Sequence, residues 1–142
     1  MKRDNLFGKT AVVTGAGRGI GRAIALSLAQ HGVIVIAAAR TKSQVKAVAD
    51  EINQSGGTAY PYPFDLASES EILSLCAFLE KKTDKLDILI NNAGIGLFGK
   101  MHEFSTQDLQ TLLNVNVRGT YLCCREGLRR MIPNKSGYII NT

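Results

Sequence analysis

The sequence lacks the features that define several large classes of protein. It has no tryptophan, and aromatic residues make up 6% of its 142 residues, so it offers little of the aromatic surface on which many proteins stack nucleic-acid bases. The net charge is +5, but the basic residues are scattered and no run of five occurs. Such runs are typical of tails that bind nucleic acid. We therefore expect no nucleic-acid partner.

Cysteines and long apolar segments are also scarce. Only Cys76, Cys123 and Cys124 are present, two of them adjacent and none in a C-x-x-C motif, so neither a disulfide framework nor a metal site is expected. No apolar run is long enough to cross a membrane. The basic start of the chain is not followed by the apolar stretch of a signal peptide. We expect one cytoplasmic, globular domain over residues 1–142, without a membrane partner.

Five apolar segments alternate with segments of helical periodicity. The chain is nearly uniformly apolar in the predicted strands, which is typical of a parallel sheet covered by helices on both faces. The third strand contains Pro61 and Pro63, which cannot donate to a neighbouring strand and so favour a place at the edge. The pattern predicts a doubly wound α/β fold. Strands are expected over 10–15, 33–39, 58–64, 86–94 and 137–141. Helices are expected over 19–31, 42–54 and 105–130, and a further helix is expected to begin at Ser68, where Ser68 and Glu71 resemble a capping box.

A glycine-rich turn follows the first predicted strand and leads into the first helix. Residues 14–21 read TGAGRGIG, which fits T-G-x-x-x-G-x-G through Gly15, Gly19 and Gly21. Neither the strict G-x-G-x-x-G motif nor the phosphate-binding G-K-[ST] motif fits this loop. A glycine turn at a helix N-terminus lets the backbone approach a pyrophosphate, which the free N–H groups of the helix then bind. The turn therefore favours a dinucleotide ligand over a plain structural role.

Charge after the second strand bears on the choice of dinucleotide. Cofactor sites for NAD(H) often carry an acidic residue about 20 residues beyond the loop, where it binds the adenosine ribose. Residues 33–49 contain no Asp or Glu, and Arg40 stands at the end of the strand. Arg40, with Arg18 of the glycine loop, could bind a 2′-phosphate. This predicts NADP(H) rather than NAD(H), unless both arginines are simply solvated.

The glycine loop, together with Asn91-Asn92-Ala93-Gly94 after the fourth strand, resembles the short-chain dehydrogenase/reductase family. The resemblance is greatest to its 3-oxoacyl-carrier-protein-reductase-like members. It implies a Rossmann-type sheet of strand order 3-2-1-4-5, a nicotinamide cofactor, and hydride transfer between an alcohol and the carbonyl of a small molecule. It also implies a homo-oligomeric parent enzyme.

The same resemblance assigns residues to the cofactor. Asp65 and Leu66, after the third strand, are similar to the family's adenine-contacting acid and its neighbour. Asn92, Ala93 and Gly94 are similar to the segment beside the cofactor ribose. The full set of predicted cofactor residues is Gly15, Arg18, Gly19, Ile20, Gly21, Arg40, Asp65, Leu66, Asn92, Ala93 and Gly94.

The predicted helix 105–130 contains one candidate catalytic residue. Asn116 shares a helical face with Leu109, Leu113 and Val117, so we expect its side chain to be buried. Asn114 is turned about 200° away. A buried asparagine can be a satisfied core residue. The resemblance implies instead that Asn116, followed by Val-Arg-Gly, is the active-site asparagine that anchors a proton-relay water.

The family's remaining catalytic residues are a serine and a Tyr-x-x-x-Lys motif after the fifth strand, and no such motif occurs in the 142 residues. Tyr121 and Arg125 have the right spacing but come before that strand, and Arg does not replace Lys in this role. The resemblance therefore predicts a truncated reductase, an incomplete NADP-binding domain. The alternatives are a nucleotide-binding module without catalysis and an inactive remnant.

Overall fold

A computed structural model describes residues 6–142. Its centre is a parallel sheet of five strands in the order β3-β2-β1-β4-β5. This confirms the predicted doubly wound α/β fold and its strand order. The strands are β1 (Thr10–Thr14), β2 (Ile34–Ala39), β3 (Thr58–Pro63), β4 (Ile88–Asn91) and β5 (Tyr138–Asn141).

The connections between the strands are helical and cover both faces of the sheet. Among the described residues, no helix is both long and apolar enough to cross a membrane. The helices are α1 (Gly19–Gln30), α2 (Lys42–Gln54), α3 (Glu69–Lys82), α4 (Thr106–Leu112) and α5 (Thr120–Met131), with a π-helical segment (Leu113–Gly119) joining α4 to α5.

Two hydrophobic cores lie on opposite faces of the sheet, because successive side chains of a strand point to opposite sides. In β1, Val13 belongs to one core and Val12 to the other. The first core joins β1, β2 and β4 to α1 and α2, and the second joins them to α3 and α5. Burial on both faces explains why the strands are apolar nearly throughout.

The place of β3 follows from its two prolines. Pro61 and Pro63 pair in register with Ala37 and Ala39 of β2, and β3 has no other neighbour in the sheet. A proline nitrogen carries no hydrogen to donate, so a strand with two prolines is tolerated at an edge. The predicted edge position is confirmed.

The predicted continuous helix over 105–130 is wrong in its middle. The chain forms the π-helical segment between α4 and α5, and the apolar face expected to be buried is partly open to solvent: Leu109, Leu113 and Val117 are 48%, 43% and 60% exposed. Asn116 is exposed as well, against the prediction. Helical periodicity shows which side chains share a face, but it does not show which faces meet the sheet.

Candidate functional site

A cavity of about 550 Å³ opens at the carboxyl ends of β1 to β4. In parallel α/β sheets this is where ligands bind, at the point where the chain reverses the direction in which strands are added. The loops after these four strands supply most of its walls. The others come from Ala39 of β2, Gly19 and Ile20 of α1, Gln44 of α2 and Val115 of the π-helical segment.

The structure brings ten of the eleven predicted cofactor residues to this cavity: Gly15, Arg18, Gly19, Ile20, Arg40, Asp65, Leu66, Asn92, Ala93 and Gly94. Gly21 is the exception and lies behind the glycine loop, where a Cβ would overlap the Gly15 carbonyl oxygen. Its contribution is close packing of α1 against the end of β1.

The glycine loop has the backbone shape that its composition predicts. Gly15 and Gly19 adopt φ angles of +67° and +56°, in the left-handed region that favours glycine. A Cβ on Gly15 would lie 2.8 Å from the Asn92 amide nitrogen, whereas one on Gly19 would stand in open space. The Gly19 backbone can thus be approached closely by a ligand.

Helix α1 begins at Gly19 and directs its positive end to the loop. The side chain of the N-cap residue Arg18 makes no capping hydrogen bond, and the first turn contains no acidic residue. An anion in the cavity can therefore meet uncapped backbone N–H groups, as phosphates do at many helix N-termini.

A single buried hydroxyl fixes the glycine loop relative to the loop after β4. Thr14, fully buried, donates to the Ile90 carbonyl at 3.3 Å and accepts from the N–H groups of Asn92 and Ala93 at 3.1 and 3.0 Å. The Asn92 side chain in turn donates to the Thr14 carbonyl at 3.2 Å. Thr14 was not predicted as a site residue, although its place as the first residue of the glycine motif was a signal.

Two cations face the cavity where β2 ends. Arg18 and Arg40 both line it, both are exposed, and neither forms an ion pair with any residue in the described range. Thr41 and Gln44 complete this corner of the cavity. Thr41 is the N-cap residue of α2 but makes no side-chain capping hydrogen bond. Sequence reasoning missed Thr41 and Gln44, since a residue's place at a helix start does not reveal that its side chain meets a cavity.

Phe64, Asp65 and Leu66 form the neighbouring wall after β3, and the Phe64 N–H donates to the Ala39 carbonyl at 3.0 Å. The Asp65 carboxylate accepts from the Ala67 N–H at 2.9 Å through Oδ1, which leaves Oδ2 without a partner among the described residues. Only half of the predicted capping box forms, because Ser68 Oγ accepts from the Glu71 N–H at 3.3 Å while Glu71 accepts from the Asp65 N–H at 2.6 Å.

Asn116 does not line the cavity but binds a residue that does. Its Oδ1 accepts from the Ile95 N–H at 2.9 Å, and its Nδ2 donates to the Ile95 carbonyl at 2.8 Å. The expected burial is wrong because the π-helical segment presents this side chain to the loop after β4 rather than to the sheet. The Asn114 side chain instead accepts from Gln110 of α4 at 3.1 Å.

Proton donors of the kind expected for catalysis lie away from the cavity. Tyr121 is in α5, as predicted, and is 63% exposed. Arg125 is bonded to Glu69 at 2.9 Å and to Glu126 at 3.0 Å. In the part of the chain that the structure describes, no three His, Cys, Asp or Glu side chains are grouped to hold a metal ion.

Comparison with known protein sequences places these features in one family. The family model described as short chain dehydrogenase matches residues 9–142. The chain is 41% identical over 137 residues to a 3-oxoacyl-[acyl-carrier-protein] reductase of Aquifex aeolicus, covering 96% of the chain and 55% of that protein. It is 38% identical over 143 aligned positions to human dehydrogenase/reductase SDR family member 11, and the match covers 98% of the chain and 54% of that protein. The chain spans about half the length of these relatives.

Solved structures show the same similarity. A metagenomic short-chain oxidoreductase in complex with NADP superposes with a TM-score of 0.92 at 39% identity, over 96% of this chain and 62% of that one. A 7α-hydroxysteroid dehydrogenase complexed with NADH and 7-oxo glycochenodeoxycholic acid gives a TM-score of 0.92 at 34% identity, and the match covers 96% of this chain and 53% of that one. With the family model matching nearly every residue and the sheet order and glycine loop in agreement, the chain belongs to the short-chain dehydrogenase family.

Proposed function

We propose that this chain forms the cofactor-binding part of an NADP(H)-dependent short-chain oxidoreductase, which transfers hydride between an alcohol and the carbonyl of a small molecule. The observation that carries the proposal is the placement of Arg18 and Arg40, two cations without ion-pair partners in the described range, on one cavity beside the uncapped start of α1. A 3-oxoacyl thioester is the substrate class suggested by the similarity to the Aquifex aeolicus reductase.

The residues present fit a dinucleotide. The N–H groups at the start of α1 are suited to the pyrophosphate, and the open space at Gly19 leaves room for its approach. Asp65, with one carboxylate oxygen free of partners in the described range, is suited to accept a hydrogen bond from the adenine amino group. Asn92, Ala93 and Gly94 form the wall on which the nicotinamide-side ribose would lie.

The preference for the phosphorylated cofactor rests on charge. Arg18 and Arg40 can each donate charge-assisted hydrogen bonds to a 2′-phosphate. Among the described residues, the cavity lining has one acidic residue, Asp65, and this residue follows β3 rather than β2. No carboxylate therefore stands beside Arg40 in the sequence to repel the phosphate, since residues 33–49 contain none.

A bound nicotinamide would supply or accept the hydride, and the residues of this chain would hold and orient it. Asn116 would keep Ile95, and with it the loop beside the nicotinamide ribose, in place through its two backbone hydrogen bonds. In the family-based assignment, Asn116 also anchors a proton-relay water. Among the residues that the structure describes, the cavity lining contains no Tyr, Lys, His or Cys.

Fluorescence titration with NADPH and NADH tests the proposal. NADPH is expected to bind about tenfold more tightly, as one or two charge-assisted hydrogen bonds require. Arg40→Ala should remove most of that difference. Lys42→Ala is the matched control, because Lys42 is an exposed neighbour that does not line the cavity. Equal affinities in the unchanged chain, or tighter binding of NADH, would contradict the proposal.

Turnover separates binding from catalysis. The 142-residue polypeptide is expected to bind NADPH but not to oxidise it with simple ketones or 3-oxoacyl thioesters above a protein-free control. Oxidation that follows the purified chain and is lost in Asn116→Ala would show that a proton donor exists among these residues. A chain that binds without turnover agrees also with a non-catalytic nucleotide-binding module.

A further inference from the structure

The π-helical segment contacts both walls of the cavity. On one side, Asn116 holds the backbone of Ile95. On the other, Arg118 and Gly119 meet the loop between β3 and α3, which contains the cavity residues Asp65 and Leu66. The π-helical segment thus contacts two loops that are far apart in sequence.

Arg118 binds this second loop at two points. Its guanidinium donates to the Ala67 carbonyl at 3.4 Å through Nη1 and to Glu69 Oε2 at 2.7 Å through Nη2. Glu69 is the first residue of α3, so the two bonds span the connection from the loop into the helix. Because Ala67 also donates its N–H to Asp65 Oδ1, its backbone links Arg118 to the Asp65 side chain.

Glu69 is held from both sides. Its Oε1 accepts from Arg125 Nη2 at 2.9 Å while Oε2 accepts from Arg118. The hydrogen bond from Arg125, aided by the charges of both arginines, lowers the pKa of the Glu69 carboxyl against the opposing effect of desolvation. The carboxylate is therefore ionised at neutral pH and remains a partner for Arg118.

Gly119 makes the contact between the two elements close. It is buried, and a Cβ at this position would lie 2.6 Å from both the Leu66 Cγ and the Leu66 carbonyl oxygen. Any larger residue would push the Asp65-Leu66 wall away from the π-helical segment. The end of the segment and the wall are in direct backbone contact.

We propose that Arg118 is a positioning residue for the adenosine end of the cofactor. It fixes the Asp65–Ala67 wall through the Ala67 carbonyl and Glu69, and so the π-helical segment sets the adenosine wall and the Ile95 wall from one element. The inference rests on the proposed function. Its physical basis is that a loop held in its binding conformation has less entropy to lose when a ligand arrives.

The expected signature is a loss of affinity without a change of preference. Arg118→Met should weaken the binding of NADPH and of NADH by the same factor, about threefold to fivefold, as expected for the loss of a partly exposed ion pair. Arg40→Ala, in contrast, should change the ratio of the two affinities. The affinity of Arg118→Met for ADP-ribose should fall by the same factor as its affinity for the dinucleotides. Its affinity for nicotinamide mononucleotide should equal that of the unchanged chain.

Two further variants keep the test sharp. Arg129→Met is the matched control, because Arg129 pairs with Glu126 within α5 at 2.8 Å and has no contact with the loop. Arg118→Lys should restore part of the affinity, since lysine can reach Glu69 but cannot reproduce the two-point contact. Circular dichroism at the titration temperature establishes that each variant is folded. If Arg118→Met does not fold, Arg118→Lys carries the test, with a smaller but equal loss for both dinucleotides.

The outcomes separate the two proposals. If the unchanged chain prefers NADPH but folded Arg118→Met binds it equally well, the role of Arg118 is wrong and the proposed function stands. The role of Arg118 is also wrong if Arg118→Met changes the ratio of the NADPH and NADH affinities, or if it weakens the binding of nicotinamide mononucleotide. If the unchanged chain binds no dinucleotide, the proposed function fails and the inference fails with it.

Discussion

The carboxamide of Asn116 is paired with both backbone polar groups of Ile95, at 2.9 and 2.8 Å. Asn116 is exposed and belongs to the π-helical segment, whereas Ile95 lines the cavity in the loop after β4. A side chain that satisfies both the N–H and the carbonyl of one residue fixes the two peptide groups that flank it, as a strand partner would. The relationship explains how a residue outside the cavity shapes its wall.

Asn116→Ala tests that relationship. The loss of two hydrogen bonds should lower the free energy of unfolding by about 1–2 kcal/mol, measured by urea denaturation. Asn114→Ala is the control, since among the described residues the Asn114 side chain bonds to the nearby Gln110 of α4, and its loss should change stability by less than about 0.5 kcal/mol. Equal effects of the two substitutions would show that the bonds to Ile95 contribute nothing specific.

The Thr14 hydroxyl should matter more than its size suggests. Thr14→Val keeps the shape but removes the acceptor of two N–H groups and the donor to Ile90. We expect the free energy of unfolding to fall by about 2–4 kcal/mol, because buried backbone groups are left unpaired.

Thr10→Val is the comparison for this substitution. Thr10 is also buried in β1, but its hydrogen bond to Asp87 is made by the backbone N–H, which Thr10→Val keeps. Its substitution should change the unfolding free energy by less than about 1 kcal/mol. A Thr14→Val chain as stable as the Thr10→Val chain would contradict the assigned role of the Thr14 hydroxyl.

Asp87 predicts a dependence of stability on pH. Its side chain is 5% exposed, accepts from the Thr10 N–H at 2.9 Å, and lies 3.2 Å from Lys85. Burial alone would raise the pKa of Asp87, but the Thr10 hydrogen bond and the interactions with Lys85 and Lys9 outweigh it and lower the pKa below the ordinary 3.8. The stabilisation is therefore present above about pH 4 and is lost as pH falls through the lowered pKa.

Asp87→Asn checks this sign. At pH 7 the variant should be less stable than the unchanged chain by about 1 kcal/mol or more, since a charge-assisted bond becomes a neutral one. The difference should shrink as the pH falls below 4. A stability difference that is constant from pH 7 to pH 2.5 would show that ionised Asp87 does not contribute.

A stripe of apolar side chains on α4, the π-helical segment and α5 predicts self-association. Leu109, Leu113, Val117 and Tyr121 recur four residues apart and are 48%, 43%, 60% and 63% exposed. Exposed apolar patches of this kind mark interfaces or promote aggregation. Light scattering at micromolar concentration should detect oligomers that Val117→Glu reduces and Gln107→Glu, which adds the same charge on α4, does not. A monomer in the unchanged chain would contradict the prediction.

The elements that carry a strong local signal could be predicted from the sequence. Pro61 and Pro63 fixed the edge position of β3, and the glycine loop pointed to the end of β1, because both residue types restrict the backbone directly. The end of β2 at Ala39, just before Arg40, likewise followed from the apolar run that forms the strand.

Contacts between distant elements could not be predicted. The residues of the π-helical segment have ordinary helical periodicity, so nothing local distinguished it from the α4 and α5 that flank it. Asn116 was expected to face the sheet because its neighbours are apolar, but those neighbours are exposed. The bonds from Arg118 to Ala67 and from Asn116 to Ile95 join residues 51 and 21 positions apart, and only the fold brings them together.

The most direct test of dinucleotide binding in the glycine-loop cavity is a ¹H–¹⁵N NMR titration of the 142-residue chain with NADPH. The account predicts that the largest shifts fall on the N–H groups of Gly15 to Gly21, Arg40, Asp65, Leu66 and Asn92 to Gly94, and that 2′-phosphate-free NADH shifts Arg40 less. Saturable shifts elsewhere on the sheet, or none at millimolar NADPH, would contradict it.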